Sequence, residues 1–524
     1  MSPEVKAMLE EFRSAPMLDY TRPEVESAMR GALERVRAAF GTTYPLVIGG
    51  KRITTKDTFP STNPANPSEV VGTFSKATVE QANQAIEAAE RAFPSWSRVS
   101  AEQRAEVIFR AAEIARRRRH ELNATMVLEV GKSWPEADGD TAEAIDFLEF
   151  YAREMLRWGS PASHPLTPNP GEKNELVYIP LGVGVVIPPW NFPCAIAMGM
   201  TAATVVTGNA AVLKPSSEAP LTAWKVFEIL EEAGVPAGVL NFLSGPGGTI
   251  GDALVEHPKT RFVAFTGSME VGIGINERAA RVPKGQIWLK RAILEMGGKD
   301  FTIVDEDADL ASAVEGVYQG AFGFQGQKCS ACSRAIVHEK IYDEFVERLK
   351  ARTEKTVVGA PEKREVFLGP VVSARAEKTI LEYIEVGTKE GRLITGGKKA
   401  PGPGYFIEPT VIADVKPTAR IAQEEIFGPV LAVTKAKSFE DAVEIANGTI
   451  YGLTGAYYSR DKAKLAEAKR KLFVGNLYLN RKCTGALVGI HPFGGFNMSG
   501  TDSKAGGRDY LGLFMQGKSI AEKV

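Results

Sequence analysis

The sequence predicts an α/β protein built on a doubly wound, mainly parallel sheet. Short apolar runs alternate with helix-length segments from Val185 to Phe265. Residues with chemical character stand just after each run. A second alternating series extends from Ile293 to about Leu479. Strands separated by helices of about 10–15 residues pair in parallel, because only a crossover returns the chain to the same sheet edge. Ligands of such sheets bind at the C-terminal strand ends.

The elements follow in order. From about Glu24 to Tyr151 the pattern reads as mostly helical. Val107, Ile108, Ala111, Ile114 and Ala115 share one apolar face. The run Arg116–Arg119 that follows reads as a solvated helix end, with an anion patch as the alternative. Four prolines between Gly159 and Gly171 exclude a continuous helix. Glu175–Pro180 then reads as a strand, an excursion from the preceding domain. Val185–Ile187, Ala211–Leu213, Val239–Leu243 and Phe262–Phe265 are the strands of the first series. They are followed by Asn191, Lys214, Gly245–Gly248 and Thr266–Ser268 respectively. From Phe493 the chain is glycine-rich, then extended.

Composition narrows the function. At 524 residues the chain is long enough for more than one domain. Its 63 basic and 64 acidic side chains leave a net charge of −1, without the basic excess of a nucleic-acid binder. Four cysteines are too few for a disulfide scaffold and read as reduced thiols. No stretch approaches the roughly 20 apolar residues of a membrane span. The N-terminal segment Met1–Pro16 has no apolar signal core. These features point to a cytoplasmic enzyme.

Several motifs bear on chemistry. Gly245–Gly251 lies between a strand and a helix, where glycines let a phosphate approach backbone N–H groups. Ile250 stands where the third glycine of a strict G-x-G-x-x-G belongs, so the segment also fits a plain turn; Thr266–Ser268 after the next strand favours a dinucleotide. Gly512–Ser519 matches the P-loop pattern, but only five residues follow Ser519, too few for the helix a P-loop needs. The five histidines are scattered, and Cys329-Ser-Ala-Cys332 has no second ligand pair, so no metal site is expected. Cys329 reads instead as a nucleophile, with Lys328 beside it to favour the thiolate. Glu295, ending an apolar strand before two glycines, is a candidate general base if burial raises its pKa. Spacing by itself equally fits an inert thiol and a surface carboxylate.

The motifs taken together go further. Pro189–Pro193, Lys214–Ser216, Phe265–Ser268, Leu294–Lys299, Gly326–Cys329, Glu425–Pro429 and Pro492–Gly495 resemble the aldehyde dehydrogenase superfamily, in family order, over roughly residues 45–520. Three stretches, around Glu129–Trp134 with Ala144–Tyr151, Phe324–Ala331, and Asn480–Gly489 before His491, resemble its branch that oxidises L-glutamate γ-semialdehyde, the opened form of Δ1-pyrroline-5-carboxylate. The resemblance implies a Rossmann-type cofactor domain (1–160 and 181–294), an α/β catalytic domain (295–495) and oligomerisation segments (161–180 and 496–524).

The resemblance also implies roles. Cys329 is the nucleophile, Asn191 with the Cys329 N–H the oxyanion donors, and Glu295 the base. Lys214 and Glu425 contact the two riboses of NAD, Phe427 its nicotinamide end, and Gly247, Gly248 and Ser268 its pyrophosphate. Ser330 with the N–H groups of Gly485 and Ala486 anchors the substrate carboxylate, between Phe192 and Phe493. NAD-specific members often carry Glu where this chain has Ser217, so NAD is expected with NADP also accepted. The implied assembly is a homo-oligomer, at least a dimer, with a proline-oxidising enzyme as a further partner. The alternatives are an aldehyde dehydrogenase for another semialdehyde and a non-catalytic protein that keeps the fold. The C-x-x-C spacing also suggests a reversible Cys329–Cys332 disulfide.

Overall fold

A computed structural model describes residues 11–524. The first ten residues of the N-terminal segment read for targeting lie outside that range. Two seven-stranded sheets carry the architecture. In the first, the strands Arg291–Glu295, Thr260–Thr266, Val183–Ile187, Ala210–Leu213 and Leu240–Phe242 lie side by side and parallel. Leu46–Ile48 and Lys51–Ile53 extend it antiparallel. Its inner strands are buried on both faces, as an apolar run without alternation demands. Gly184 is required where two strands meet, because a Cβ there falls 2.2 Å from the Phe262 ring.

The second sheet runs Arg392–Thr395, Thr410–Ala413, Val430–Ala436, Arg334–His338, Phe301–Val304, Thr454–Tyr458 and Asn476–Leu479. All its neighbours are parallel except the first pair. Helices cover both faces of each sheet and enclose separate apolar cores.

The N-terminal region departs in part from the mostly helical expectation. After the helix Pro23–Ala38, residues 43–75 form strands, including a three-stranded sheet of Thr43–Tyr44, Asn66–Ser75 and Thr58–Asn63. This segment is rich in Thr, Val, Phe and Pro, which suit strands and turns. Helices resume at Val79. The arginine run is also only partly a solvated end. Arg116 and Arg117 pair at the surface with Glu149 and Glu232. Arg119 instead turns inward and holds Asp138, which is fully buried, through two bonds of 2.7 Å.

The excursion Glu172–Pro180 pairs along its whole length with the C-terminal strand Met515–Lys523. Most of this two-stranded ribbon's side chains are at least partly exposed. Residues 496–514 do not join it. They pack against the first core through Tyr510, Leu511 and Phe514 and reach the end of the Arg291–Glu295 strand. The P-loop-like Gly512–Ser519 is accordingly a short helical turn running into a strand.

Candidate active site

The parallel strands of the first sheet deliver their C-terminal ends to one edge. Asn191, Lys214, Gly247–Gly248 and Ser268 follow four of them. Glu295 ends the fifth, in register with Thr266. The crossover between two strands of the second sheet, Phe301–Val304 and Arg334–His338, brings Cys329 to the same edge.

Cys329 follows the helix Leu310–Phe322 and a tight turn, Gly323–Gly326. Within that turn Phe324 and Gln325 take φ of 48° and 56°, a left-handed conformation that strains residues with side chains. The surroundings hold it there. Gln325 donates to the carbonyls of Gly131 (3.0 Å) and Pro370 (2.8 Å), and the Gln327 side chain accepts the Val372 N–H at 2.9 Å. A Cβ on Gly326 would lie 2.3 Å from the Gly428 carbonyl oxygen. The strained turn presents the thiol, partly exposed, to a cavity.

Lys328 does not activate that thiol. Its ammonium is turned to Glu136, 2.8 Å away on the helix Trp134–Trp158. Burial, together with the carboxyls of Asp300, Glu425, Glu295 and Glu143, pushes the thiol well above its ordinary range. A proton acceptor is therefore required, and Glu295 lines the same cavity. One Glu295 oxygen accepts the Ser503 hydroxyl at 2.5 Å; the other is buried without a partner. Burial pushes Glu295 up to about 7, where a carboxylate exchanges protons readily near neutral pH.

Asn191 is buried, and its amide donates to the Gln327 carbonyl at 3.1 Å. A primary amide has two N–H donors, so one remains for a developing oxyanion. Cys332 turns away: its sulfur lies 3.2 Å from the Thr302 hydroxyl and it does not line the cavity. This placement disfavours the Cys329–Cys332 disulfide, and all four cysteines are free thiols.

The residues expected to bind NAD line the sheet edge. Lys214 is buried, donates to the Pro215 carbonyl at 3.0 Å, and is lowered by burial to about 8. Its stem runs beside Gly251, in the turn Gly247–Gly251. A Cβ built on Gly247 or Gly248 meets nothing within 4 Å, so space for a phosphate lies above that turn. Ser268 caps the helix Met269–Ala280, and Ser217 is exposed beyond Lys214. Across the cleft, Glu425 accepts the Gly298 N–H at 2.9 Å and is pushed by burial to about 7. Phe427 takes φ of 58° and sets its ring edge-on to Trp190. Buried donors, an open glycine turn and a buried carboxylate suit a diphosphate flanked by two sugar diols.

The substrate residues converge. Phe192, Ser330, Gly485, Ala486 and Phe493 line, with Cys329 and Glu295, one cavity of about 1000 Å³ including its mouth. Among the further lining residues, two polar ones were missed by the sequence reading. Glu143, raised to about 8 by burial and by Asp140, faces the cavity from the helix Trp134–Trp158. Ser503, which holds Glu295, comes from the C-terminal segment assigned to assembly. The signal for Glu143 was its spacing: Glu136, Asp140, Glu143, Phe147 and Tyr151 fall on one helix face.

A cavity thiol, an amide donor and a raised carboxylate beside a dinucleotide-type sheet edge fit an aldehyde-oxidising enzyme. The profile described as the aldehyde dehydrogenase family matches residues 52–520, and the chain belongs to that family. It is 56% identical over 515 residues to a 1-pyrroline-5-carboxylate dehydrogenase of Geobacillus sp. (strain WCH70), covering 98% of this chain and all of the relative. A crystal structure of 1-pyrroline-5-carboxylate dehydrogenase from Thermus with bound NAD superposes with a TM-score of 0.97 at 53% identity, over 98% of this chain and all of that one. Proline utilization A from Bdellovibrio bacteriovorus matches at 45% identity and a TM-score of 0.96; 98% of this chain covers 53% of that protein.

Proposed function

We propose that this protein oxidises L-glutamate γ-semialdehyde, formed by opening of Δ1-pyrroline-5-carboxylate, to L-glutamate with NAD. The observation that carries the reading is one cavity in which Cys329 and Glu295 meet the Ser330, Gly485 and Ala486 anchor. Neutral donors at that anchor bind a carboxylate while leaving the aldehyde end at the thiol. Phe192 and Phe493 flank the aliphatic chain between them.

The residues divide the work. Cys329, once deprotonated, attacks the aldehyde carbon to give a thiohemiacetal. The Asn191 amide and the Cys329 N–H stabilise the oxygen charge; each such donor is worth roughly 10²–10³-fold in rate. The chemistry supplied by NAD when bound is acceptance of the hydride from that carbon. Lys214, Gly247, Gly248, Ser268, Glu425 and Phe427 would hold it. Glu295 then takes a proton from the water that hydrolyses the Cys329 thioester, and Ser503 keeps its carboxyl aimed.

Reduction of NAD followed at 340 nm tests this with pyrroline-5-carboxylate, acetaldehyde and succinate semialdehyde, for wild type and Cys329→Ala. Preference for pyrroline-5-carboxylate, lost in the variant, is the expected result. Activity on the other aldehydes alone discards the anchor. With Ser217 where a repelling carboxylate is usual, NADP is expected to support a measurable but lower kcat/KM; no turnover with NADP rejects that expectation.

The unsatisfied edges of the Glu172–Pro180 and Met515–Lys523 ribbon favour a homo-oligomer, at least a dimer, since an isolated two-stranded ribbon is marginal in water. The proline utilization A neighbour supports a proline-oxidising enzyme as the source of substrate. Among the described residues no helix is long and apolar enough to cross a membrane; a cytoplasmic setting is our reading.

A further inference from the structure

A fully buried ammonium lies behind the active site and takes no part in the chemistry above. Lys132 has no exposed surface, and its Nζ sits 3.9 Å from the ring centre of Phe192 and 4.3 Å from that of Phe324. Phe192 adjoins the oxyanion donor Asn191 and lines the cavity. Phe324 belongs to the strained turn that carries Cys329. One cation therefore joins the two loops whose relative placement decides whether the amide meets the oxygen on the attacked carbon.

The charge is anchored from the other side. Asp140, also fully buried, lies 3.2 Å from the Lys132 Nζ. The same carboxylate accepts the Ala195 N–H at 2.6 Å, at the start of the helix Ala195–Val206 that follows Asn191–Cys194. Gly131, next to Lys132, accepts a hydrogen bond from Gln325 of the strained turn. Lys132 Nζ makes no well-aligned hydrogen bond, so the two ring faces and the carboxylate fix its place. Cation–π attraction is strongest when desolvated. A buried ion pair contributes little net stability over an apolar pair of equal volume, so its presence between two functional loops calls for a role other than stability.

We propose that Lys132 is a positioning residue for this reaction: wedged between Phe192 and Phe324 and tied to Asp140, it sets the Asn191 amide against Cys329. The proposal rests on the reading of Cys329 and Asn191 given above. Lys132 does not line the cavity. Its loss should lower turnover by misplacement, where about 1 Å costs on the order of 100-fold.

The test uses Lys132→Met and the pair Lys132→Met with Asp140→Asn, which removes both partners of the Lys132–Asp140 ion pair. Three quantities are read: dehydrogenase kcat and KM, cofactor-free hydrolysis of p-nitrophenyl acetate, and the NAD dissociation constant from tryptophan quenching. In the double variant, kcat and ester hydrolysis should each fall more than about tenfold. The aldehyde KM and NAD affinity should stay within about threefold of wild type. Wild-type rates in the double variant, or a rate loss matched by an equal loss of NAD affinity, overturn the proposal. If neither charge variant folds, Phe324→Leu decides, with a fall in both rates expected and unchanged rates overturning it. Ester hydrolysis that survives Cys329→Ala overturns the nucleophile assignment and the proposal with it. Hydrolysis lost in Cys329→Ala but intact in the double variant overturns the proposal alone.

Discussion

Glu295 illustrates how a single side chain trades stability for chemistry. Burial raises its pKa to about 7, so the free carboxylate, and with it the thioester hydrolysis proposed for it, is lost as pH falls below that value. The kcat for pyrroline-5-carboxylate should rise through about pH 7 and level off above it. Glu295→Gln should remove that limb and lower kcat by about 100-fold or more. The stability effect has the opposite sign. A carboxyl whose folded pKa lies above its unfolded value binds its proton more tightly when folded, so the native state loses stability as pH rises from about 4.5 to about 7. Glu295→Gln should therefore melt higher than wild type at pH 8, with the difference closing towards pH 5. Thermal unfolding at the two pH values reads it, and a variant that melts lower at pH 8 contradicts the account. Gly298 gives a steric counterpart. A Cβ there would stand 2.3 Å from the Cys329 carbonyl oxygen, so Gly298→Ala should shift the Cys329 backbone, cut kcat by roughly 100-fold and lower the melting temperature as well. The meeting of Cys329 and Glu295 in one cavity was foreshadowed by their motifs, Glu295 at a strand end and Cys329 after a helix and turn, although spacing by itself did not separate them from an inert thiol and a surface carboxylate. Glu143 was not, since carboxylates recurring along one helix face, with Glu136 and Asp140, read as a solvated stripe. Lys328 was misread because its partner, Glu136, is distant in sequence and only the fold brings them together.

Elements show where local pattern suffices and where it fails. The inner strands of the first sheet announced themselves, because burial on both faces leaves unbroken apolar runs. Residues 43–75 did not, because short strands at a sheet margin alternate polar and apolar positions weakly. The helix Pro220–Glu232 depends on an end that no local motif reveals. Its residue before the first turn, Ala219, makes no side-chain cap. Glu129, 1% exposed, reaches in instead and accepts the N–H groups of Leu221 (2.6 Å) and Thr222 (2.8 Å), with the hydroxyls of Thr222 and Ser61. Glu129→Ala leaves these buried donors unpaired and should destabilise the protein by about 2–4 kcal/mol. Urea unfolding measures this directly; a loss under about 0.5 kcal/mol contradicts the capping role.

At the scale of the molecule, the ribbon and the site make separate demands on the C-terminus. Removal of residues 516–524 takes away the strand that pairs with Glu172–Pro180 but spares Ser503 and the Tyr510–Phe514 turn. The truncated protein should lose its assembly, as read by light scattering, while NAD affinity stays within about threefold. A truncation that keeps the wild-type mass contradicts the oligomer assignment. The two-sheet plan was legible in the sequence through the alternation of runs and helices. The course of residues 496–514 was not, since glycine-rich loop sequence carries no period to follow.

The bond from Ser503 to Glu295 spans 208 positions. A ribosome adding about 5–20 residues per second needs roughly 10–40 s to cross that interval. For all of that time the base lacks its anchor, even after the strand carrying it and the loop carrying the thiol have emerged. Chains released early, from a damaged message or a stalled ribosome, thus hold the proposed nucleophile without the contact that aims Glu295. The long reach of this one contact ties the proposed base to the last stretch of chain to be made.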